Sequence, residues 1–582
     1  MPMKSKDGSL IPRRIVMIDL LIITSMWCVS LCVINPLGHF PLNDDWSYGL
    51  TVRHLIENGG FHPTANTAMP LVTNVLWGSL FCIPTGFSFT ALRLSTLTAS
   101  LLGIILVYLL MRDICQTRWR AVITAVTLAS NPIYYALSNT FMTDNLYIAI
   151  TLAAALFFAR DLRDSSGLDL VMATTLAIAA TLSRQLAIAV PLSFALCVIV
   201  RRGCTRANIL RGAMPVLVCV VALVTFQHWL AESRRLPAEY NVKIQGLFGA
   251  LSSPKTLVLV LVKNTFVGLL YLGLFLLPVL VLAFVDVWQS HRRQVTGILT
   301  AALATMVLGI AGFALLGLHP AVTGAGSYPV TYLMPMSANV LMNSGIGPIM
   351  LPDSWIGLHY VPSLPSLPTT FWFLVTVMSV IGAGLLTTTF TVRAFDLVPR
   401  LGVATKISVN EVVGIFFVLS AMIGLLPIVA SSFIDRYLIP PVPLFATGLA
   451  CICGGPRQSC RVNARVLHLS AVAVLIGFSL FAIGSTRDYL EWNRLRWAAL
   501  HDLVDNDHVD VKDIDGGLEF NGLYMYKAGY QYNPSKNWWW VQGNTYQICF
   551  GGMPGYRIIK QYSYHHWIPA HIGRVVVLEK RP

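Results

Sequence analysis

Two adjacent carboxylates, Asp44 and Asp45, stand in the string NDDWSY, behind a stretch bounded by Pro36 and Pro41 and beside Trp46 and Tyr48. Neighbouring carboxylates push each other's proton affinities apart, which suits general acid and base work. The same string also reads as the N-cap of a helix over Trp46 to Glu57, and residue type alone leaves both readings open. A further acid, Asp144, lies in FMTDN, where Thr143 or Asp144 is placed to cap the following helix. Capping and chemistry are compatible there.

Arginines accompany these acids. Arg184, in SRQ, lies between two short apolar segments. A charge at a membrane-embedded break is costly unless it pairs, works or snorkels to the interface. Its planar fork also matches a phosphate. Arg93 begins LRLS, and Arg436 stands in DRYLIP, where Asp435 offers it a simple interfacial partner. Acids and arginines gathered on one membrane face suit an anionic headgroup plus a base. No Walker A, H-E-x-x-H, G-x-S-x-G or dinucleotide fingerprint occurs, and the Gly324–Gly326 pair is too weak a signal for a phosphate loop. Cys451, Cys453, Cys460 and His468 match no standard zinc spacing, so neither metal nor cofactor is expected.

The elements that must position these residues are membrane spans. The chain has 582 residues, of which 55% are hydrophobic and 12% charged. Its mean hydropathy is +0.65. Soluble domains carry about a quarter charged residues, so soluble, disordered, fibrous and disulfide-scaffold classes are excluded. The net charge of +14 fits basic residues retained in cytoplasmic loops. No nucleic-acid partner is expected, because no loop carries a long Lys/Arg run. Most cysteines fall inside apolar segments, where they act as small hydrophobes.

A span needs about 20 apolar residues. Apolar windows fall at 15–34, 89–111, 119–137, 143–159, 168–183, 186–200, 212–230, 256–285, 296–317, 369–391, 410–430, 437–453 and 466–484. This gives about thirteen transmembrane helices, with 168–200 readable as two short spans or one broken element. Alternate threading gathers most of the Lys and Arg before residue 485 on one side, including Arg201, Arg202, Arg292 and Arg293. That side is the cytoplasm by the positive-inside bias, and the N-terminus lies there. The chain then divides into a transmembrane core, 1–484, and an extracytoplasmic α+β domain, 485–582. The core carries a first outer loop, 35–88, and a Pro/Gly-rich outer loop, 318–368. The tail should open with an amphipathic helix around Asp488 to Val504 and continue with strands around Tyr556–Tyr562 and Arg574–Leu578.

The order NDDWSY, LRLS, FMTDN, SRQ and DRYLIPPVP resembles the GT-C class of membrane glycosyltransferases. It is similar to the bacterial branch near the dolichyl-phosphate-mannose protein mannosyltransferases and the lipid A aminoarabinose transferase. The likeness spans roughly residues 10–450. Where that family usually has Asp-Glu in its first loop, this chain has Asp-Asp. The resemblance implies a polytopic α-helical enzyme, without cofactor, that takes a hexosyl or pentosyl group from a polyprenyl-phosphate donor. The acceptor would be a lipid, glycan or protein on the outer face of the plasma (inner) membrane. It further implies Asp44 as an inverting general base, with Asp45 and Asp144 supporting it. Arg184, assisted by Arg93 or Arg436, would hold the donor phosphate. Trp46, Tyr48, Gln185 and Tyr437 would contact substrate. The alternative is a transporter or flippase of an anionic lipid or solute, for which inverted repeats and mid-membrane charges are the usual signs; neither is evident here.

Overall fold

The computed structural model describes residues 13–115, 118–240, 253–315, 335–337, 339–355, 367–400, 407–431, 434–453, 464–527, 530 and 540–582. Besides a one-turn helix at Pro352–Trp355, seventeen α-helices organise the described residues: α1 (Arg13–Ile34), α2 (Asp45–Asn58), α3 (Val72–Cys82), α4 (Phe89–Cys115), α5 (Arg118–Ala129), α6 (Pro132–Ser138), α7 (Asp144–Asp164), α8 (Gly167–Ser183), α9 (Ala189–Arg202), α10 (Arg206–Glu232), α11 (Pro254–Ser290), α12 (Arg292–Leu315), α13 (Thr369–Leu397), α14 (Val409–Val429), α15 (Pro441–Cys453), α16 (Ala464–His501) and α17 (Leu518–Met525).

Among the described residues, eleven helical segments are long and apolar enough to cross a membrane. This is a multi-pass membrane protein. The other two apolar windows differ from the expected spans for local reasons. Window 119–137 is split into α5 and α6 at Asn131-Pro132, where the Asn131 side chain accepts from the N–H groups of Ile133 and Tyr134 at 3.0 and 3.1 Å. Proline at the first helical position and an Asn cap start a new helix, which a hydropathy average cannot register. Window 168–183 is α8, 17 residues long. Windows 168–183 and 186–200 are thus two helices, separated by an extended residue, Arg184 (φ −145°, ψ 131°), and a 3₁₀ turn over Gln185–Ile188.

Close helix crossings hold the bundle. A Cβ on Gly273 of α11 would collide with the backbone of Gly382 and Ala383 on α13, so these helices meet backbone to backbone. Small residues permit such approaches where lipid removes the ordinary hydrophobic drive for association. At the bundle end opposite the first loop, many of the arginines meet buried or half-buried acids. Arg118 donates to Asp19 at 2.7 Å, Arg211 pairs with Asp161, and Arg163 lies 3.0 Å from Asp113.

The first loop is more ordered than its composition suggests. It runs without regular structure from Asn35 (φ 49°), forms α2 over nearly the expected residues, and turns at Gly59 (φ 68°). A further helix, α3, lies within it; its 11 residues are too few to cross a membrane. Much of the Pro/Gly-rich loop, including Gly324 and Gly326, lies outside the described residues. Its described part forms a short antiparallel pair, β1 (Leu341–Met342) and β2 (Gly345–Ile346).

The expected boundary near 485 falls inside α16, which runs unbroken for 38 residues. Its last turns bury Tyr489, Trp492 and Trp497 against the tail. The tail adds β3 (Ile514–Asp515), β4 (Tyr546–Cys549), β5 (Tyr556–Trp567) and β6 (Ala570–Lys580), in the order β3-β4-β6-β5. Only β3–β4 is parallel. Val575 and Val577 join the main core, whereas Val576 and Leu578 pack with Cys549 on the other face. The α+β expectation therefore holds.

Candidate active site

The first loop, the start of α7, the α8–α9 break and the 3₁₀ turn Asp435–Leu438 converge on one cluster of charge. Asp44 occupies the N-cap position of α2, but its side chain makes no cap hydrogen bond. Instead its Oδ2 lies 3.6 Å from Arg436 Nη2, with the carboxylate side chain 23% exposed. The neighbouring acid is built in differently. Asp45 is 2% exposed and accepts the backbone N–H of Phe141 at 2.7 Å and of Leu42 at 3.2 Å. Burial pushes its carboxyl well above the usual carboxylate range, against the opposing pull of Arg93 and the two N–H groups. The pair divides into a facing acid and a staple joining the first loop to the start of FMTDN.

Asp144 opens α7 and is fully buried. Thr143 makes no side-chain cap bond, and the Asp144 carboxylate pairs with Arg184. Capping is therefore not the role of either residue. Among the described residues, Asp144 Oδ2 and Arg436 Nε find no hydrogen-bond partner, although both are buried. An unpaired buried polar atom is costly.

Arg184 and Arg436 share one ring. Their Cζ atoms lie 5.4 and 5.6 Å from the Tyr437 centroid, and Arg184 is also 5.9 Å from the Tyr147 centroid. Cation–π contact holds guanidinium groups in place without using up their N–H donors. Beside Arg184 lies a small pocket, whose walls include Tyr147, Leu186, Ile428, Tyr437, Pro441 and Leu444. One end is cationic and the rest is largely apolar.

Tyr48 lies among the same charges. Its hydroxyl donates to Met69 Sδ at 3.3 Å, and burial with the nearby Asp44 holds its phenol well above the usual range. Arg436, Arg184 and Asp144 act on it as well. Gln185 donates to the Ala68 carbonyl at 3.1 Å, tying the break to the first loop.

Two expected site residues are placed elsewhere. Arg93 donates to the carbonyls of Pro36, Gly38 and Phe40 at 2.6, 3.3 and 2.9 Å. Its fork is occupied by the entrance to the first loop, because three carbonyls turned inward require a buried donor. Trp46 is fully buried, 5.0 Å from the Trp540 centroid and 5.4 Å from that of Tyr526. It faces the tail.

Asp435 is not the ion-pair partner of Arg436. It accepts the N–H groups of Val340 and Leu341 at 3.1 and 2.7 Å, and that of Arg436 itself at 2.7 Å. It pins the β1 strand beside the site. Met142, whose Sδ is 3.9 Å from Arg436 Nη1, was not legible as a site residue, since an apolar residue beside FMTDN gives no signal. Cys460 lies outside the described residues, and among those described no three metal-type side chains are gathered.

No curated protein sequence matches this chain. Two crystal structures of ArnT from Cupriavidus metallidurans are similar to it at a low level. The form bound to undecaprenyl phosphate is 14% identical, with a TM-score of 0.38, over 98% of each chain. The apo form is 13% identical, with a TM-score of 0.32, over 96% of this chain and 97% of that one. Residues 68–231, which contain LRLS, FMTDN and SRQ, match the family model described as dolichyl-phosphate-mannose-protein mannosyltransferase. Over that stretch the chain is similar to a family of membrane glycosyltransferases.

Proposed function

We propose that this protein is a GT-C glycosyltransferase that moves a sugar from a polyprenyl-phosphate carrier to an acceptor on the outer face of the plasma membrane. The supporting observation is the cluster of Arg184 and Arg436 around Tyr437, beside Asp44 and next to a small, largely apolar pocket. A lipid phosphate needs guanidinium donors, and a sugar carried on it then lies next to a carboxylate. The match over residues 68–231 supports the same reaction class.

In this reading Arg184 and Arg436 hold the donor phosphate, and Tyr437 orients both. Asp44 takes the proton of the acceptor hydroxyl as its oxygen attacks the anomeric carbon. The bond from that carbon to the phosphate oxygen breaks, and the phosphate leaves with the electron pair. A single displacement inverts the sugar carbon. Asp144 keeps Arg184 aligned, Asp45 fixes the loop, and Tyr48 and Gln185 line the sugar side. Arg93 and Trp46 act as supports of the first loop. The N-terminus is cytoplasmic, and residues 485–582 form an extracytoplasmic domain.

The test is lipid analysis of cells lacking the protein. A polyprenyl-phosphate sugar should accumulate, and restoring wild type but not Asp44→Asn should clear it. Clearance by Asp44→Asn equal to wild type would remove the base. No accumulating lipid, together with a solute or lipid retained on one side of the membrane, would favour transport.

A further inference from the structure

The tail domain grips the first loop at four places along its length. Arg494 Nη2 donates to the Asn35 carbonyl at 2.8 Å, where the loop leaves α1. Glu519 Oε1 accepts the Asn43 N–H at 3.0 Å, one residue before Asp44. Trp46 packs on Gly522, where any Cβ would come within 2.5 Å of the indole. Tyr526 Oη accepts the Ala65 N–H at 2.7 Å near the loop's far end.

The second contact bears on the chemistry. Asn43 has φ +55°, a left-handed conformation that Asn tolerates better than other side chains, but that still needs support. Its N–H is held by a carboxylate buried to 1% exposure, and that carboxylate is in turn 2.9 Å from Arg496, also fully buried. Arg496 is fixed by the Gly516 carbonyl at 2.9 Å and by Asn493 Oδ1 at 3.2 Å. A buried ion pair is poor evidence of stability, because desolvation offsets its attraction. A rigid acceptor aimed at one N–H is a different use: it fixes where Asp44 begins.

We propose that Glu519, held by Arg496, is a positioning residue of the transfer reaction, acting through the Asn43 N–H to set the Asp44 carboxylate against Arg436. The inference rests on the reading of Asp44 as the base. It gives the tail domain a task in the chemistry, although none of its described side chains is placed at the reacting atoms. A base displaced by about 1 Å loses on the order of 10²-fold in rate, so a slack Asn43 is expressed in turnover.

The test uses two double variants of the full chain, both without the buried charge pair. R496M/E519Q keeps an oxygen for the Asn43 N–H; R496M/E519L has similar bulk and no acceptor. Three readouts are compared: hydrogen exchange of the Asn43 amide, affinity for undecaprenyl phosphate, and clearance of the accumulated donor lipid. The Gln form should keep amide protection and turnover near wild type. The Leu form should lose both by at least about tenfold, with phosphate-lipid affinity unchanged. Equal behaviour of the two forms, with Asp44→Asn inactive, overturns the positioning role and leaves the base intact. Wild-type turnover in Asp44→Asn overturns the base and, with it, the role of Glu519 in the reaction.

Discussion

Asp44 and Arg436 meet at 3.6 Å although they lie at opposite ends of the membrane core in sequence. The contact sets the carboxylate beside the Arg436–Tyr437–Arg184 stack, and it uses one of the two adjacent acids only. Asp45, one residue on, points its oxygens at backbone N–H groups. A helix start turns successive side chains by about 100°, so neighbours in sequence need not share a task.

Asp44→Asn should therefore reduce turnover by about 10²–10⁴-fold, the usual loss for a general base. Thermal unfolding and undecaprenyl phosphate binding should stay near wild type. A variant that loses its fold along with its activity would instead make Asp44 a structural residue.

Asp45 should show the opposite profile. Asp45→Ala leaves the Leu42 and Phe141 N–H groups without an acceptor, at about 1–3 kcal/mol for each buried donor. Unfolding in detergent should report the loss. The folded carboxyl lies above its ordinary value of 3.8. Its contribution is thus fully present below that value and fades as pH rises through the folded value. The stability gap between wild type and Asp45→Ala should be widest in acid and narrow toward neutral pH. A gap that widens with pH would mean that the folded carboxyl is held below 3.8.

Arg184→Lys retains charge but not the two-pronged donor. It should weaken undecaprenyl phosphate binding clearly, with a smaller effect on folding than Arg184→Ala. Removing the cation entirely leaves Asp144 buried and unpaired, a loss of about 3–5 kcal/mol. Titration with the lipid phosphate checks the first statement and thermal unfolding the second. Unchanged affinity in Arg184→Lys would restrict Arg184 to its pair with Asp144.

Arg93→Lys should lower stability and leave lipid phosphate affinity unchanged, because its fork is given to the carbonyls of Pro36, Gly38 and Phe40. A large fall in affinity at unchanged stability would return Arg93 to the donor site.

Topology is checked by labelling single cysteines at Lys512 and Gln542. Both should react with an impermeant reagent from outside the cell. Reaction from the cytoplasmic side alone would invert the orientation and move the site to the other face.

The sequence by itself determined the membrane class, the helical windows, the α+β tail and the acids and arginines of a candidate site. These follow from quantities local in the chain. Twenty apolar residues make a span wherever they occur, and an acid or arginine beside a span must be paired or used. The break at Arg184 was legible for the same reason. What only the tertiary structure decided is which groups share a space. Asp44 and Asp45 have the same chemistry and adjacent positions, and packing alone separates the acid facing Arg436 from the one stapling Phe141. Arg93 and Arg184 both stand beside apolar segments, yet one meets three loop carbonyls and the other meets Asp144 and Tyr437. Glu519 carries no motif, yet it reaches the Asn43 N–H from the far end of the chain. Contacts of that kind depend on how helices and domain close on one another, and residue type and spacing along the chain do not encode them.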